Sequence, residues 1–267
     1  MPTRQAVQEA RPGTRLLCLN SPLNPSGTAI DASSLSGICE AILDENRARE
    51  SRGAKPLFLL YDQVYWTLCW GTAHVTPPGL FPEIAPYTIL VDGISKAFAA
   101  TGLRVGWAVG PTDIVSRLSA VLGHVGAWAP RPEQAAVAAF LGEPAVVAAF
   151  RTEFTRKVRA RLDRLHQAIQ RLKSRGFPVD STSPEGAIYL AARIHPFGRR
   201  TPGGTTLQTN EAIRAFLLEA CRIGLVPFQA FGFPADDGWF RLSVGAVDEA
   251  EVDAAMSRLE TALSSLA

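Results

Sequence analysis

Thr88-Ile89-Leu90-Val91-Asp92-Gly93-Ile94-Ser95-Lys96 is a short apolar run that stops at a polar turn and a lysine. Such a run, bounded by turn residues, reads as a buried strand over 88–91. Upstream, 14–19 and 57–61 are runs of the same kind. Downstream, 105–109 lies between Gly102 and Gly110 and makes a fourth strand. Between the first two, 31–52 carries Leu35, Ile38 and Ile42 at helical spacing, with Asp31 as a candidate N-cap. Strands alternating with helices predict an α/β unit with a mostly parallel sheet. About four strands is few for such a sheet.

The pattern then changes. Residues 144–175 form one long helical pattern with arginines on its polar face, and Gly176 ends it. A strand over 187–192, a loop rich in Gly, Pro and Thr over 197–206, a helix over 210–223, a strand over 239–244 and a helix over 248–263 follow. This second half reads as a smaller α+β domain. The expected division is 1–150 and 151–267. No internal repeat occurs.

Composition excludes several function classes. With 267 residues the chain buries enough surface to need no disulfide staples. A formal net charge of +2 lacks the basic excess of a nucleic-acid binder. At 47% hydrophobic residues the chain is too apolar to be disordered. Cys18, Cys39, Cys69 and Cys221 form no C-x-x-C pair and have no histidine cluster beside them, so no metal site is expected. The same cysteines point to a reduced, cytoplasmic compartment. The uncharged run 63–82 is broken by Gly71, Pro77, Pro78 and Gly79, so no membrane span is expected there. Residues 1–15 lack the apolar core of a signal peptide.

Five features can carry chemistry. Open α/β sheets place ligands beyond the carboxyl ends of their strands. Lys96 stands at such an end, and reads either as a solvated loop lysine or as a desolvated amine able to form a Schiff base. Asp62 closes the strand 57–61, with Tyr65 three residues on. It reads either as a helix cap or as a carboxylate facing a heteroaromatic nitrogen. Asn24, in Ser21-Pro22-Leu23-Asn24-Pro25-Ser26-Gly27, sits in a rigid turn and is either only that or a fixed amide donor. Arg104 lies between Gly102 and Gly106, where close backbone approach would let its guanidinium fork onto a phosphate, with the Ser95 hydroxyl adding to it. Arg241, inside Trp239-Phe240-Arg241-Leu242-Ser243-Val244, requires a carboxylate partner, either within the chain or on a ligand.

The order and spacing of Asn24-Pro25-Ser26-Gly27, Asp62-x-x-Tyr65, Ser95-Lys96 with Arg104-x-Gly106-Trp107, and Arg241 resemble the class I/II aminotransferases. These are fold-type I pyridoxal-phosphate enzymes related to aspartate aminotransferase. Ser183-Pro184-Glu185-Gly186-Ala187-Ile188-Tyr189-Leu190 and Gly224-Leu225-Val226-Pro227 are similar to the family's small-domain segments, so the resemblance runs from about residue 14 onward. It implies a three-layer large domain and a small C-terminal domain. It further implies pyridoxal phosphate held by Lys96, with Asp62 at the ring nitrogen, Asn24 and Tyr65 at the phenolic oxygen, Ser95 and Arg104 at the phosphate, and Arg241 at the substrate α-carboxylate. Lys96, Asp62 and Tyr65 are the implied catalytic groups, Asn24 also touches substrate, and the reaction is amino transfer between an amino acid and a 2-oxo acid.

The family carries a longer portion before its Asn-Pro turn than the twenty-three residues that precede Asn24 here. The expectation is therefore a truncated large domain with an open sheet edge. It would be completed by a complementing N-terminal chain or act within a homodimer. Two alternatives stay open: a pyridoxal-phosphate carbon–sulfur lyase on the same scaffold, and a noncatalytic remnant or partner subunit.

Overall fold

Each apolar run becomes a strand whose carboxyl end meets a turn, and this sets where the polar groups gather. The computed structural model describes residues 4–9 and 13–267. Its contacts divide the chain into two units. The first takes in the chain up to Pro22 together with Ala29–Phe154, and the second takes Leu23–Thr28 with Thr155–Ala267.

The first unit runs α1 (Arg4–Gln8), β1 (Leu16–Asn20), α2 (Ala32–Glu50), β2 (Phe58–Asp62), α3 (Pro77–Leu80), β3 (Thr88–Gly93), α4 (Ile94–Ala97), β4 (Gly106–Val109), α5 (Thr112–Val125), α6 (Arg131–Leu141) and the first part of α7 (Pro144–Ser174). The sheet order is β1-β2-β3-β4. β1, β2 and β3 are parallel, as the alternation with helices requires. β4 is antiparallel, because α4 and a single 3₁₀ turn at Thr101–Leu103 bring the chain straight back beside β3. Asp62 stands level with Val91 and Gly93 with Gly106.

α2 begins where the sequence places its cap: the Asp31 carboxylate accepts the Ser34 N–H at 2.7 Å. Its buried stripe of Leu35, Ile38, Cys39 and Ile42 packs against Leu19, Leu59 and Tyr61 of the sheet. Two polar residues of α2 are buried as well. Asn46 donates to the Leu57 carbonyl at 2.9 Å and accepts the Leu57 N–H at 2.7 Å, so its amide acts as one more strand residue at the start of β2. Arg49 donates to the Thr14 carbonyl at 2.7 Å and to Glu45 at 2.6 Å.

α5 and α6 were not among the expected helices. No residue of α5 is buried, and β4 is exposed along its whole length. Val109, Val121, Val125 and Trp128 are 60%, 58%, 71% and 55% exposed.

The second unit holds the remainder of α7, then β5 (Val179–Ser181), β6 (Tyr189–Ile194), α8 (Asn210–Cys221), β7 (Val226–Pro227), β8 (Trp239–Ser243) and α9 (Glu249–Ser264). Its sheet order is β5-β6-β8-β7, antiparallel throughout. β6 starts two residues later than the expected 187–192, because Ala187 takes a left-handed φ of 56° that no strand residue adopts. Val158, Leu162, Leu165, Ile169 and Leu172 form the buried stripe of α7. α9 opens with a reciprocal capping box between Asp248 and Glu251. Leu23–Thr28 joins this unit through Gly27, whose carbonyl accepts the N–H groups of Glu185 at 3.1 Å and Gly186 at 2.9 Å. Among the described residues no single helix is long and apolar enough to cross a membrane.

Candidate active site

In the first unit the candidate residues Asp62 and Lys96 stand at the carboxyl ends of β2 and β3. Asp62 is the last residue of β2 and half-buried. Its carbonyl accepts from the Asn20 side chain at 3.0 Å and the Ser21 N–H at 3.0 Å, and its carboxylate accepts the Val64 N–H at 3.0 Å. The turn that follows buries Tyr65 and is tied to β3 by the Gln63 N–H, which donates to the Val91 carbonyl at 3.0 Å.

Lys96 is half-buried in the single turn α4 that leaves the end of β3. Ile94 and Ala97 pin this turn by burial, Ile94 among Val105 and Val137. Phe98 continues the anchor. It meets Phe140 edge-on at 5.4 Å and stacks against Phe150 at 5.9 Å. Ser95 lies on the same turn, and its carbonyl accepts the Thr101 hydroxyl at 3.1 Å. Arg104 is exposed at the same end of the sheet, just before β4, in a left-handed conformation with φ 56° and one guanidinium N–H on the Thr101 carbonyl at 2.9 Å. Of its flanking glycines only Gly106 is required by close approach. A Cβ there would lie 3.0 Å from the Asp92 carbonyl, whereas one at Gly102 would meet nothing within 4 Å.

In the second unit Asn24 and Arg241, 217 residues apart in sequence, are hydrogen-bonded: Arg241 Nη1 donates to Asn24 Oδ1 at 2.9 Å. The guanidinium lies between two aromatic rings, 4.7 Å from the centre of Tyr189 and 5.0 Å from that of Phe231. Its Nε is buried without a hydrogen-bond partner. Among the described residues no carboxylate pairs with Arg241, so the internal salt bridge weighed from the sequence is not formed. A flat cation fixed this way suits a carboxylate brought by a ligand.

Sequence reasoning missed several residues. Tyr189 and Phe231 hold Arg241 flat, and only the apolar context of their segments hinted at it. Asp92 is buried beside the Lys96 strand end and accepts the Gly93 N–H at 2.7 Å. Burial pushes its carboxyl above the ordinary value, opposed by hydrogen bonds from Gly93, Trp66 and Gln63, while the charge of Asp62 adds to the rise. The signal was an acid inside an apolar run. Burial also lowers the pKa of His74, whose Nε2 lies 3.4 Å from Gln63 Oε1. Among the described residues no cluster of metal-ligating side chains occurs.

The donor set of the first unit fits pyridoxal phosphate by its chemistry. It offers an amine for the aldehyde, a carboxylate for the pyridine nitrogen, a phenol for the ring oxygen, and a hydroxyl with a guanidinium for the phosphate.

The model of the family described as aminotransferase class I and II matches residues 3–259. The aspartate aminotransferase of Rhizobium meliloti (strain 1021) is 33% identical over 257 residues, which cover 96% of this chain and 58% of that protein. The aspartate aminotransferase of Geobacillus stearothermophilus is 31% identical over 232 residues, covering 86% of this chain and 53% of its own. The crystal structure of the aspartate aminotransferase from Rhizobium meliloti superposes with a TM-score of 0.85 at 30% identity, covering all of this chain and 62% of that one. The chain thus spans between half and two thirds of the length of these relatives.

Proposed function

Because the chain belongs to the class I and II aminotransferase family, we propose that it supplies the lysine, the ring-nitrogen carboxylate and the carboxylate-binding arginine of a pyridoxal-phosphate aminotransferase. The reaction is amino transfer between an amino acid and a 2-oxo acid. The observation that carries this reading is the placing of Asp62 and Lys96 at adjacent carboxyl ends of the parallel strands β2 and β3.

Pyridoxal phosphate, when bound, supplies an electron sink for charge developing at the substrate Cα. Lys96 offers the amine that holds the cofactor's aldehyde carbon, and the same amine moves the proton at the substrate Cα. Asp62, fixed by the backbone of its own turn, keeps a proton on the pyridine nitrogen. Tyr65 and Asn24 donate to the phenolic oxygen. Ser95 and Arg104 hold the phosphate. Arg241 binds the substrate α-carboxylate. The aminotransferase names of the relatives favour transfer over the lyase alternative. A homodimer or a complementing polypeptide is the expected assembly, and Cys18, Cys39, Cys69 and Cys221, which form no C-x-x-C pair, suit a cytoplasmic setting.

The test is to mix the chain with pyridoxal phosphate, reduce with borohydride and map the label. Lys96 is expected to carry it. Label confined to Lys55, Lys157 or Lys173 refutes the assignment. Formation of a new amino acid from an added 2-oxo acid acceptor, with no ammonia released, then separates transfer from β-elimination, which yields a 2-oxo acid together with ammonia and a thiol.

A further inference from the structure

Asn210, the first residue of α8, is fully buried, and its backbone N–H and both ends of its amide are hydrogen-bonded. Its Oδ1 accepts the Gly238 N–H at 2.8 Å, its Nδ2 donates to Gln229 Oε1 at 3.0 Å, and its backbone N–H donates to Asp236 Oδ1 at 2.7 Å. A backbone N–H can only donate, so Gly238 fixes which end of the Asn210 amide is oxygen, and Asn210 in turn fixes the way Gln229 faces. Gln229 closes the network from its nitrogen, which donates to the Ala235 carbonyl at 2.9 Å and to Asp236 Oδ1 at 3.0 Å.

All of these bonds converge on the loop that leads into β8. Gln229 lies in the 3₁₀ turn Phe228–Phe231 that opens it, and Gly238 ends it directly before Trp239. Phe231, two residues after Gln229, is the ring that lies against Arg241, and Arg241 itself stands three residues after Gly238. Gly238 is a fixed point. Its carbonyl accepts the Ile194 N–H of β6 at 2.8 Å, and at its φ of +82° a Cβ would lie 2.8 Å from the Ile194 carbonyl oxygen. Residues 232–236 are exposed, so burial does little to place the loop. The Phe231 ring meets Phe228 edge-on at 6.2 Å, and Phe228 lies 6.3 Å from Trp239. Ring contacts tolerate a range of offsets. Hydrogen bonds to a buried amide do not, because a displaced partner is left unsatisfied.

We infer that Asn210 is a positioning residue of the carboxylate site: by bonding Gln229 and Gly238 it fixes the 3₁₀ turn relative to β8 and so holds the Phe231 ring against the Arg241 guanidinium. The inference rests on the proposal that Arg241 binds the substrate carboxylate. Without the ring the guanidinium is free to tilt, and its forked face is no longer presented in one plane.

The experiment uses the full chain with Asn210→Ala, Gln229→Ala, Phe231→Leu and the pair Gln229→Ala with Phe231→Leu. Phenylglyoxal, which condenses with guanidinium groups, is applied with increasing 2-oxoglutarate. Modification of Arg241 is mapped by mass spectrometry against the exposed Arg199 and Arg222. The concentration that halves the Arg241 rate reports binding there without any need for turnover. Asn210→Ala and Gln229→Ala are each expected to raise it about threefold to tenfold, the range of a partly shielded cation–ring contact. Gln229 is only half-buried, so its variant gives the answer even if Asn210→Ala does not fold. Adding Gln229→Ala to Phe231→Leu is expected to change nothing further, because both act through one ring. Borohydride labelling of Lys96 by pyridoxal phosphate should stay within about twofold of wild type in Gln229→Ala, since the network touches only the second unit. An unchanged half-protecting concentration in Gln229→Ala, a further rise in the pair, or an equal loss of Lys96 label overturns the inference and leaves the proposed function standing. A wild-type chain in which 2-oxoglutarate shields Arg241 no more than Arg199 and Arg222 overturns the proposed role of Arg241, and this inference with it.

Discussion

At the residue scale Arg241 shows how a side chain becomes a recognition element. A planar cation between the Tyr189 and Phe231 rings, steadied by Asn24 Oδ1, keeps its remaining N–H groups in one plane. Lysine can neither fork nor stack in that way. Arg241→Lys is therefore expected to weaken binding of a carboxylate ligand by about 1.5–3 kcal/mol, or roughly 10- to 150-fold. Calorimetric titration with a substrate carboxylate measures it, and a loss of less than about twofold would show that the carboxylate goes elsewhere. The candidates at this scale were legible because their types stand next to turn residues at strand ends. Asn24 and Arg241 could each be singled out, but their contact could not, since 217 residues separate them. Asp92 went unused because an acid inside an apolar run gives no sign of which donors the fold will turn toward it.

At the element scale the parallel strands β1, β2 and β3 were readable from apolar runs bounded by turns, and α2 from its cap and spacing. The antiparallel return of β4 was not, since strand direction depends on the path of the connection and not on the strand's own residues. β5 and β7, of three and two residues, are too short for periodicity to mark, and neighbours in the sheet define them. Gly27 shows the cost hidden in such packing. Its φ is +71°, and a Cβ there would stand 2.1 Å from the Tyr189 carbonyl oxygen. Gly27→Ala is expected to destabilise the second unit by about 2 kcal/mol or more, read as a lowered urea midpoint. An unchanged midpoint would mean that the 23–28 segment is not held against β6.

The clamp between α7 and β5 belongs to the same scale. Lys173 donates to Asp180 at 2.6 Å, and this bond, aided by Gln170 and the Ser181 N–H, holds the Asp180 carboxyl down at about 2. The folded pKa lies below the ordinary value of 3.8, so the pair stabilises the fold above that value and the gain is lost as pH falls toward about 2. The carboxylate is 37% exposed, so screening keeps the contribution below about 1 kcal/mol. Asp180→Asn should lower stability at neutral pH and converge with wild type at about pH 2. Urea midpoints across that range decide it: a constant difference down to the lowest pH would locate the effect in packing.

At the scale of the whole molecule the decisive fact is that one sheet edge and one helix face of the first unit are both apolar and both exposed. Among the described residues β4 ends the sheet with no further strand beside it, an edge that can template pairing with another strand. Beside it, Val109, Val121, Val125 and Trp128 are each more than half exposed, and α5 buries none of its residues. Large apolar side chains left this exposed can drive association by the same burial that builds a core. The chain is therefore expected to self-associate with rising concentration, through the first unit and not through the second. Sedimentation velocity up to about 100 µM checks this. Val121→Lys combined with Val125→Lys places two charges on the helix face without touching a buried residue. The pair should shift the distribution toward monomer while leaving the unfolding of the second unit unchanged. A wild-type chain that stays monomeric over the whole range would show that the exposed face is held apart from its copies. Association that survives both lysines would place it on the open edge of β4, where Val109→Pro, which removes a backbone donor, is the substitution that should then abolish it.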